Sequence, residues 1–353
     1  MSVLTPWPSE PAWPAEYGIR QCSPGVSALR GRLAPSPTGL LHLGNAWAFL
    51  CAWLGARSTG GSLVLRLEDI DRNRSKEEFA GALQEDLLWL GLDWDEGPYR
   101  QSLRISDYAA VLEDFKAENL VYPCFCTRKE LHALAGAPHG EDRAGIAAEG
   151  SYPGFCRHLS AAGRESRIAA GRGHSWRLRF DYQDNPDLFS FTDLVLGRVT
   201  LTAEQAAGDF PLCRSDGVFA YQLAVVLDDL SMGVTQVVRG ADILPSTPRQ
   251  LYLYQLLGAE PPAYAHVPLL PDHTGERLAK RHASLSLREL RQAGVKAEAV
   301  TGFLAAWAGL RDGGPDGFAL LTPRDLLPGF NFASIKTGLE PLPEDLPAVL
   351  RAV

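Results

Sequence analysis

The chain has 353 residues, 46% of them hydrophobic, which is enough for two or three domains with real cores. A formal net charge of −8 excludes a protein that grips nucleic acid over its whole surface, so any RNA contact is expected to be local. No apolar run reaches the roughly 18 to 20 residues that span a bilayer, and the Pro- and Trp-rich start lacks the charged-then-apolar pattern of a secretion signal, so a cytoplasmic protein is expected.

Residues 1 to about 27 carry no regular period and read as an extension lying on the surface or partly disordered. The run Arg32 to Asn45, R-L-A-P-S-P-T-G-L-L-H-L-G-N, begins as a short apolar strand, turns through two prolines and a glycine, and opens a helix at His42 that is expected to be regular over Ala46 to Arg57. Gly39 and Gly44 leave room for a ligand against the backbone. The first N–H groups of that helix form a seat for triphosphate oxygens, to which His42 can donate. Taken alone, a histidine before a helix is more often a cap. A strand over Leu63 to Leu67, an acidic-basic turn and a helix over Lys76 to Leu90 follow. Alternating strands and helices indicate a parallel sheet covered by helices, and the absence of G-x-G-x-x-G excludes the dinucleotide seat of dehydrogenases.

Of the six cysteines, Cys124, Cys126 and Cys156 cluster, with Tyr152 close by. Three thiolates and a phenol suit a tetrahedral metal, although His132, His139 and His158 compete for the fourth position. Cys22, Cys51 and Cys213 read as small buried apolar residues. Ala133 to Gly150, rich in Ala and Gly, reads as a loop. Arg157, His158, Arg164, Arg167, Arg172, Arg177 and Arg179 concentrate positive charge, as either a local tRNA patch or a solvated face. Val218 to Leu227 is apolar enough to be buried, Gly233 to Arg239 has the β-branching of a strand, and Ser246 to Leu257 reads as a helix with Thr247 as N-cap and Pro248 in its first turn. After Leu285 the chain reads as helical, with Leu290, Val300, Phe303, Leu304 and Trp307 as apolar positions.

His42-Leu43-Gly44-Asn45, L-V-L-R-L-E-D-I-D-R over Leu63 to Arg72, G-P-Y-R-Q-S over Gly97 to Ser102, Y-P-C-F-C-T-R over Tyr122 to Arg128 and the block Asp209 to Gln255 together resemble class I aminoacyl-tRNA synthetases of the glutamate branch, in which the first string is written HIGH. The resemblance covers most of residues 30 to 285. It implies an α/β fold: a Rossmann-like parallel sheet whose halves lie at 28–98 and 205–258, an inserted zinc-containing domain of the acceptor-binding type at 99–204, and a signature loop with a short helical stem-contact subdomain at 259–353, without an anticodon-binding domain.

The same resemblance implies the site. ATP, as its magnesium complex, is expected on His42, Gly44, Asn45 and Lys280, with His42, Gly44 and Lys280 catalytic. Lys280 lies in Arg277-Leu-Ala-Lys-Arg281, the copy of K-M-S-K-S, where Arg277 replaces a lysine and Ala279 a serine. L-glutamate is expected on Arg32, Ala34, Ser36, Glu68, Tyr221 and Arg239: two guanidinium groups answer two carboxylates, and Glu68 answers the ammonium. The residues leave open which arginine takes the side-chain carboxylate, and spacing alone pairs Glu68 with Arg66 or Arg72. Cys124, Cys126, Tyr152 and Cys156 are expected to hold one structural zinc. Within the branch the likeness is to short members that transfer glutamate to queuosine at the wobble position of tRNA(Asp), and this chain is expected to act as a monomer. A minimal synthetase charging the tRNA 3′ end and a non-catalytic paralogue are the competing readings.

Overall fold

The computed structural model describes residues 28–127, 129–131, 152, 154–180, 189–202, 208–275, 286–314 and 317–353. The expected extension 1–27, Cys22, His132, His139, the loop from Ala133 to Gly150 and the Arg277 to Arg281 string with Lys280 lie outside these residues.

The first half alternates β1 (Arg30–Leu33), α1 (Leu43–Arg57), β2 (Ser62–Leu67), α2 (Glu77–Trp89) and β3 (Glu96–Arg100), with β2 central and parallel to both neighbours. A strand buried on both faces reads as a continuous apolar run, as S-L-V-L-R-L does in β2 apart from Arg66. α1 begins a turn earlier than Ala46 because His42 and Asn45 close a reciprocal capping box that orders the first turn. It is apolar nearly all round because the sheet covers one side and the C-terminal segment another. A side chain at Gly55 would meet the Phe332 ring at 2.5 Å, so only glycine allows this approach.

After α3 (Ile105–Ala117), an antiparallel sheet forms from β4 (Val121–Cys124), β5 (Ser175–Leu178) and β8 (Phe210–Cys213), with α4 (Ala161–Ala169) beside it. The hairpin of β6 (Ser190–Asp193) and β7 (Gly197–Thr200) instead joins β9 (Gln236–Gly240) and β10 (Ala263–Val267), in the order β7-β6-β10-β9. β10 is parallel to both β6 and β9. The Thr235 N–H donates to the Arg30 carbonyl at 2.9 Å, which lays β9 beside β1 and continues one sheet into the other.

The apolar run from Val218 becomes α5 (Tyr221–Ser231), and α6 spans Thr247–Leu256. Thr247 is not the N-cap of α6. Ser246 precedes the first helical residue, and the Thr247 hydroxyl turns inward to accept a hydrogen bond from Arg239 at 2.9 Å. α7 (Leu287–Gln292), α8 (Ala297–Trp307) and α9 (Leu346–Arg351) follow, and Leu290, Val300, Phe303, Leu304 and Trp307 are all buried against α1 and the sheet. Cys51 and Cys213 are buried too. Among the described residues no helix is long and apolar enough to cross a membrane.

One carboxyl in this core costs stability. Asp86 on α2 is buried, and its Oδ2 has no hydrogen-bond partner among the described residues. Burial lifts it from 3.8 to about 6, against the pull of Arg288 and Arg291. A raised carboxyl is protonated in the folded chain before the unfolded one, so its penalty is present at pH 7 and disappears as pH falls toward 3.8. Asp86→Asn is therefore expected to stabilise the protein by about 1 kcal/mol at pH 7 and by almost nothing near pH 4. Urea unfolding at the two pH values checks this; an equal gain at both would remove ionisation as the cause.

Candidate active site and cysteine cluster

Three parallel strands and one helix N-terminus deliver the expected glutamate residues to one place. Arg32 lies on β1, Glu68 follows β2, Arg239 lies on β9 and Tyr221 opens α5. The Glu68 N–H donates to the Pro35 carbonyl at 3.0 Å, which fastens the segment after β2 to the turn carrying half-buried Ala34 and exposed Ser36.

Buried charge organises this pocket. Arg32 donates from Nη1 to the Val238 carbonyl at 2.9 Å, and its Nε lies 3.7 Å from Asp229. Arg66, fully buried, donates from Nη1 to Asp229 at 2.6 Å and from Nη2 to Glu68 at 3.3 Å, with Asp228 at 3.8 Å from its Nε. Glu68 thus has the local partner that spacing gives it, and it also feels Arg32. Burial pushes its carboxyl up while Arg66 and Arg32 pull it back. Arg72 goes elsewhere, to the Ser102 carbonyl. Burial raises the Tyr221 phenol, and Glu68, Arg239 and Arg32 all act on it, so the residues expected to hold glutamate do converge.

Arg239 is held by a frame that residue types did not announce. Its Nε donates to His266 Nε2 at 3.0 Å, Nη1 to Gln250 at 2.7 Å and Nη2 to Thr247 at 2.9 Å, with the guanidinium 5.0 Å above the Tyr264 ring. Asp228 and Asp229 were equally unforeseen. Their only signal is two adjacent acids directly after the apolar run to Leu227, within α5.

At the other side of the turn, His42 serves as the N-cap of α1: its Nδ1 accepts from the Asn45 N–H at 3.3 Å, and Asn45 Oδ1 accepts from the His42 N–H at 3.1 Å. An accepting Nδ1 leaves the ring proton on Nε2, so Nε2 is the atom that donates outward. A Cβ at Gly44 would stand 3.0 Å from the His42 ring, whereas one at Gly39 would enter open space. Gly44 therefore keeps the histidine in place, and Gly39 leaves the turn open. His42 also bridges to Ser286, and the Leu287 N–H donates to the Leu41 carbonyl at 2.8 Å, so the start of α7 lies beside His42.

The cysteine cluster lies on the antiparallel sheet. The sulfurs of Cys124, Cys126 and Cys156 lie within 4.8 Å of one another. Cys126 and Cys156 are 3.7 Å apart, and the Tyr152 hydroxyl is 3.4 Å from Cys124 and 3.8 Å from Cys126. A tetrahedral centre with sulfurs about 2.3 Å away spaces them about 3.8 Å apart, so this donor set fits one such ion. His158 does not belong to the group. Burial beside Cys124 pushes the Cys126 thiol up to about 12. Burial also works to raise Cys156, but hydrogen bonds from the Phe125 N–H and from Tyr152 bring it below its usual value. A bound cation would reverse the cost of ionising all three.

The expected basic patch packs around this cluster rather than standing in solvent throughout. Arg177 is buried, 4.3 Å from the Tyr152 ring, and Arg179 sits over Tyr122 while Arg167 and Arg172 approach Phe125. A cleft of about 490 Å³ opens here between Phe155, Leu159, Arg167 and Arg172, and none of its lining residues belongs to the carboxylate pocket.

The fold is shared with a glutamate tRNA ligase of Elizabethkingia meningosepticum, solved in complex with its amino acid: TM-score 0.71 at 24% identity, over 91% of this chain and 68% of that one. Residues 28–312 match the family described as tRNA synthetases class I (E and Q), catalytic domain, and the chain belongs to that family. It is 54% identical over 327 residues to the Glutamyl-Q tRNA(Asp) synthetase of Nitratidesulfovibrio vulgaris, covering 90% of this chain and 97% of that one. It is 44% identical to the Glutamate–tRNA ligase 2 of Syntrophus aciditrophicus over 78% of this chain, but only 56% of that protein is covered.

Proposed function

We propose that the chain activates L-glutamate with ATP and transfers the glutamyl group to queuosine at the wobble position of tRNA(Asp), acting as a cytoplasmic monomer. The convergence of Arg32, Arg239 and Glu68 supports the amino acid, because a dicarboxylate with one ammonium calls for that complement. Likeness to the Glutamyl-Q tRNA(Asp) synthetase over nearly its full length supports the acceptor.

In the first step a glutamate α-carboxylate oxygen attacks the α-phosphorus of ATP in line and pyrophosphate leaves, giving glutamyl-adenylate. Positioning and anion stabilisation carry such a step. Tyr221, Ser36 and Ala34 complete the glutamate seat, while His42, Gly44, Asn45 and Lys280 hold magnesium-bound ATP. In the second step a hydroxyl of the queuosine cyclopentene diol attacks the acyl carbon and AMP leaves. Residues 28–98 and 205–258 form the catalytic halves, 99–204 the inserted acceptor-handling module, and 259–353 the signature loop and helical subdomain.

Pyrophosphate exchange tests the first step. Exchange into ATP is expected with glutamate, without tRNA, and poorly with aspartate or glutamine. Exchange that needs tRNA, or that accepts glutamine equally, contradicts this reading of the pocket.

Zinc is the ion proposed for Cys124, Cys126, Cys156 and Tyr152, and its task there is to cross-link the inserted module, since four protein donors close the shell. Metal analysis is expected to find about one zinc per chain. Cys126→Ser should lose that metal and weaken transfer to tRNA more than pyrophosphate exchange; equal loss of both would make the cluster a support of the whole fold.

A further inference from the structure

Arg239 is oriented by a buried chain that ends in the hairpin of β6 and β7. His266 on β10 accepts from Arg239 at Nε2, and its Nδ1 donates to Asp193 Oδ2 at 2.6 Å. Both His266 and Asp193 are buried, and Asp193 also accepts from the N–H groups of Val195 at 2.9 Å, Leu196 at 3.0 Å and His266 at 3.0 Å. These donors fix the carboxylate, and the carboxylate fixes the ring. The Thr247 hydroxyl, which accepts from Arg239 Nη2, stands 3.3 Å from the same His266 Nε2. That nitrogen must therefore stay unprotonated. A proton there would face the Arg239 Nε–H directly.

A guanidinium has five N–H groups in a rigid fork. His266, Gln250 and Thr247 engage three of Arg239's, one on each nitrogen, which leaves an N–H on each Nη for the two oxygens of a carboxylate. Rotation of the fork about its long side chain is the freedom that would spoil this, and the Nε–H bond to His266 restrains it together with the bonds to Gln250 and Thr247.

We infer that Asp193 and His266 are positioning residues: Asp193 holds His266 in the tautomer with its proton on Nδ1, and neutral His266 aims the Arg239 guanidinium at a substrate carboxylate. The inference rests on glutamate being the substrate. It gives the hairpin of β6 and β7 a direct tie to the amino-acid pocket, through Asp193 at the end of β6.

The charged groups facing His266 are Asp193 from β6, Arg239 from β9 and Arg32 from β1, with Thr247 from α6 as the polar neighbour. Burial and the two arginines hold the imidazole below its ordinary value, against Asp193. Glutamate binding is thus kept at neutral pH and weakens as pH falls through that lowered value.

Glutamate and ATP dependence of pyrophosphate exchange, measured for the wild type, His266→Gln, His266→Ala and Asp193→Asn, tests the inference alongside imidazole ¹⁵N shifts of the wild type. Expected are an Nδ1–H tautomer, a KM for glutamate raised about tenfold or more in His266→Ala with the KM for ATP changed less than about twofold, and substantial recovery in His266→Gln, whose amide oxygen can accept from Arg239. Asp193→Asn, which permits the other tautomer, should shift the KM for glutamate in the same direction. An Nε2–H tautomer overturns the inference, as does a KM for glutamate that is unchanged or that rises no more than the KM for ATP. Wild-type protein that fails to exchange with glutamate at all would sink the proposed substrate instead, and the nitrogen shifts would still decide the tautomer. They also decide it if a buried-site variant fails to fold.

Discussion

Arg66→Met is expected to destabilise the protein by about 3–5 kcal/mol at pH 7, the cost of leaving buried charges without their partner. Arg66 has no solvent exposure, and three carboxylates face it: Asp229 at 2.6 Å, Glu68 at 3.3 Å and Asp228 at 3.8 Å. Methionine fills the space but answers none of these charges. Other partners cover part of the loss, since Arg104 lies 3.1 Å from Asp228 and Arg32 3.7 Å from Asp229, but Glu68 keeps only Arg32 acting on it. Burial already pushes Glu68 and Asp228 up against their arginines, and without Arg66 both rise further.

The direction of the pH dependence follows. Carboxyls whose folded value is raised take up protons in the folded state first, so the variant regains stability as pH falls from 7 toward the ordinary carboxylate range. Urea unfolding at pH 7 and pH 5 checks both parts. A loss below about 1 kcal/mol, or a deficit that grows as pH falls, would mean that the three acids are compensated without Arg66. Arg66→Lys separates charge from geometry: an ammonium restores the charge but not the fork that reaches two acids at once.

Much of this fold is legible along the chain because its strands and helices are local patterns. β2 reads as an apolar run broken only by Arg66, and β2 and α2 both formed within a residue of their expected ends. Thr247 misled because a hydroxyl before a proline looks like a cap from local spacing, while its actual partner is Arg239 across the pocket. The pocket itself was legible only as a set of single residues matched to a family. Arg32, Glu68, Tyr221 and Arg239 converge, but what holds them does not follow from spacing: Asp229 reaches Arg66 across 163 positions and Asp193 reaches His266 across 73. Long-range pairs of this kind leave no periodic trace, beyond an acid or a histidine placed where an apolar residue is expected. The cysteine cluster is intermediate, since Cys124 and Cys126 are neighbours and only Cys156 and Tyr152 have to be brought to them.

Transfer to the acceptor should be all or none. The terminal ribose of a tRNA and the cyclopentene of queuosine both present a cis diol, so one cleft beside the adenylate suits either, and selection falls to the rest of the RNA. The chain covers 97% of the Glutamyl-Q tRNA(Asp) synthetase of Nitratidesulfovibrio vulgaris. Arg167 and Arg172 lie beside the cysteine cluster in a chain of net charge −8, and transfer that relies on phosphate contacts is expected to weaken as salt rises, because each contact releases counterions.

The deciding measurement is the attachment of radiolabelled glutamate to purified tRNA(Asp), with and without queuosine, and with and without its terminal adenosine. Label is expected on queuosine-containing tRNA(Asp) whether or not the terminal adenosine is present, and none on tRNA(Asp) from cells unable to make queuosine. Robust charging of unmodified tRNA(Glu) at its terminal ribose would contradict the assignment and make the chain a minimal glutamyl-tRNA synthetase.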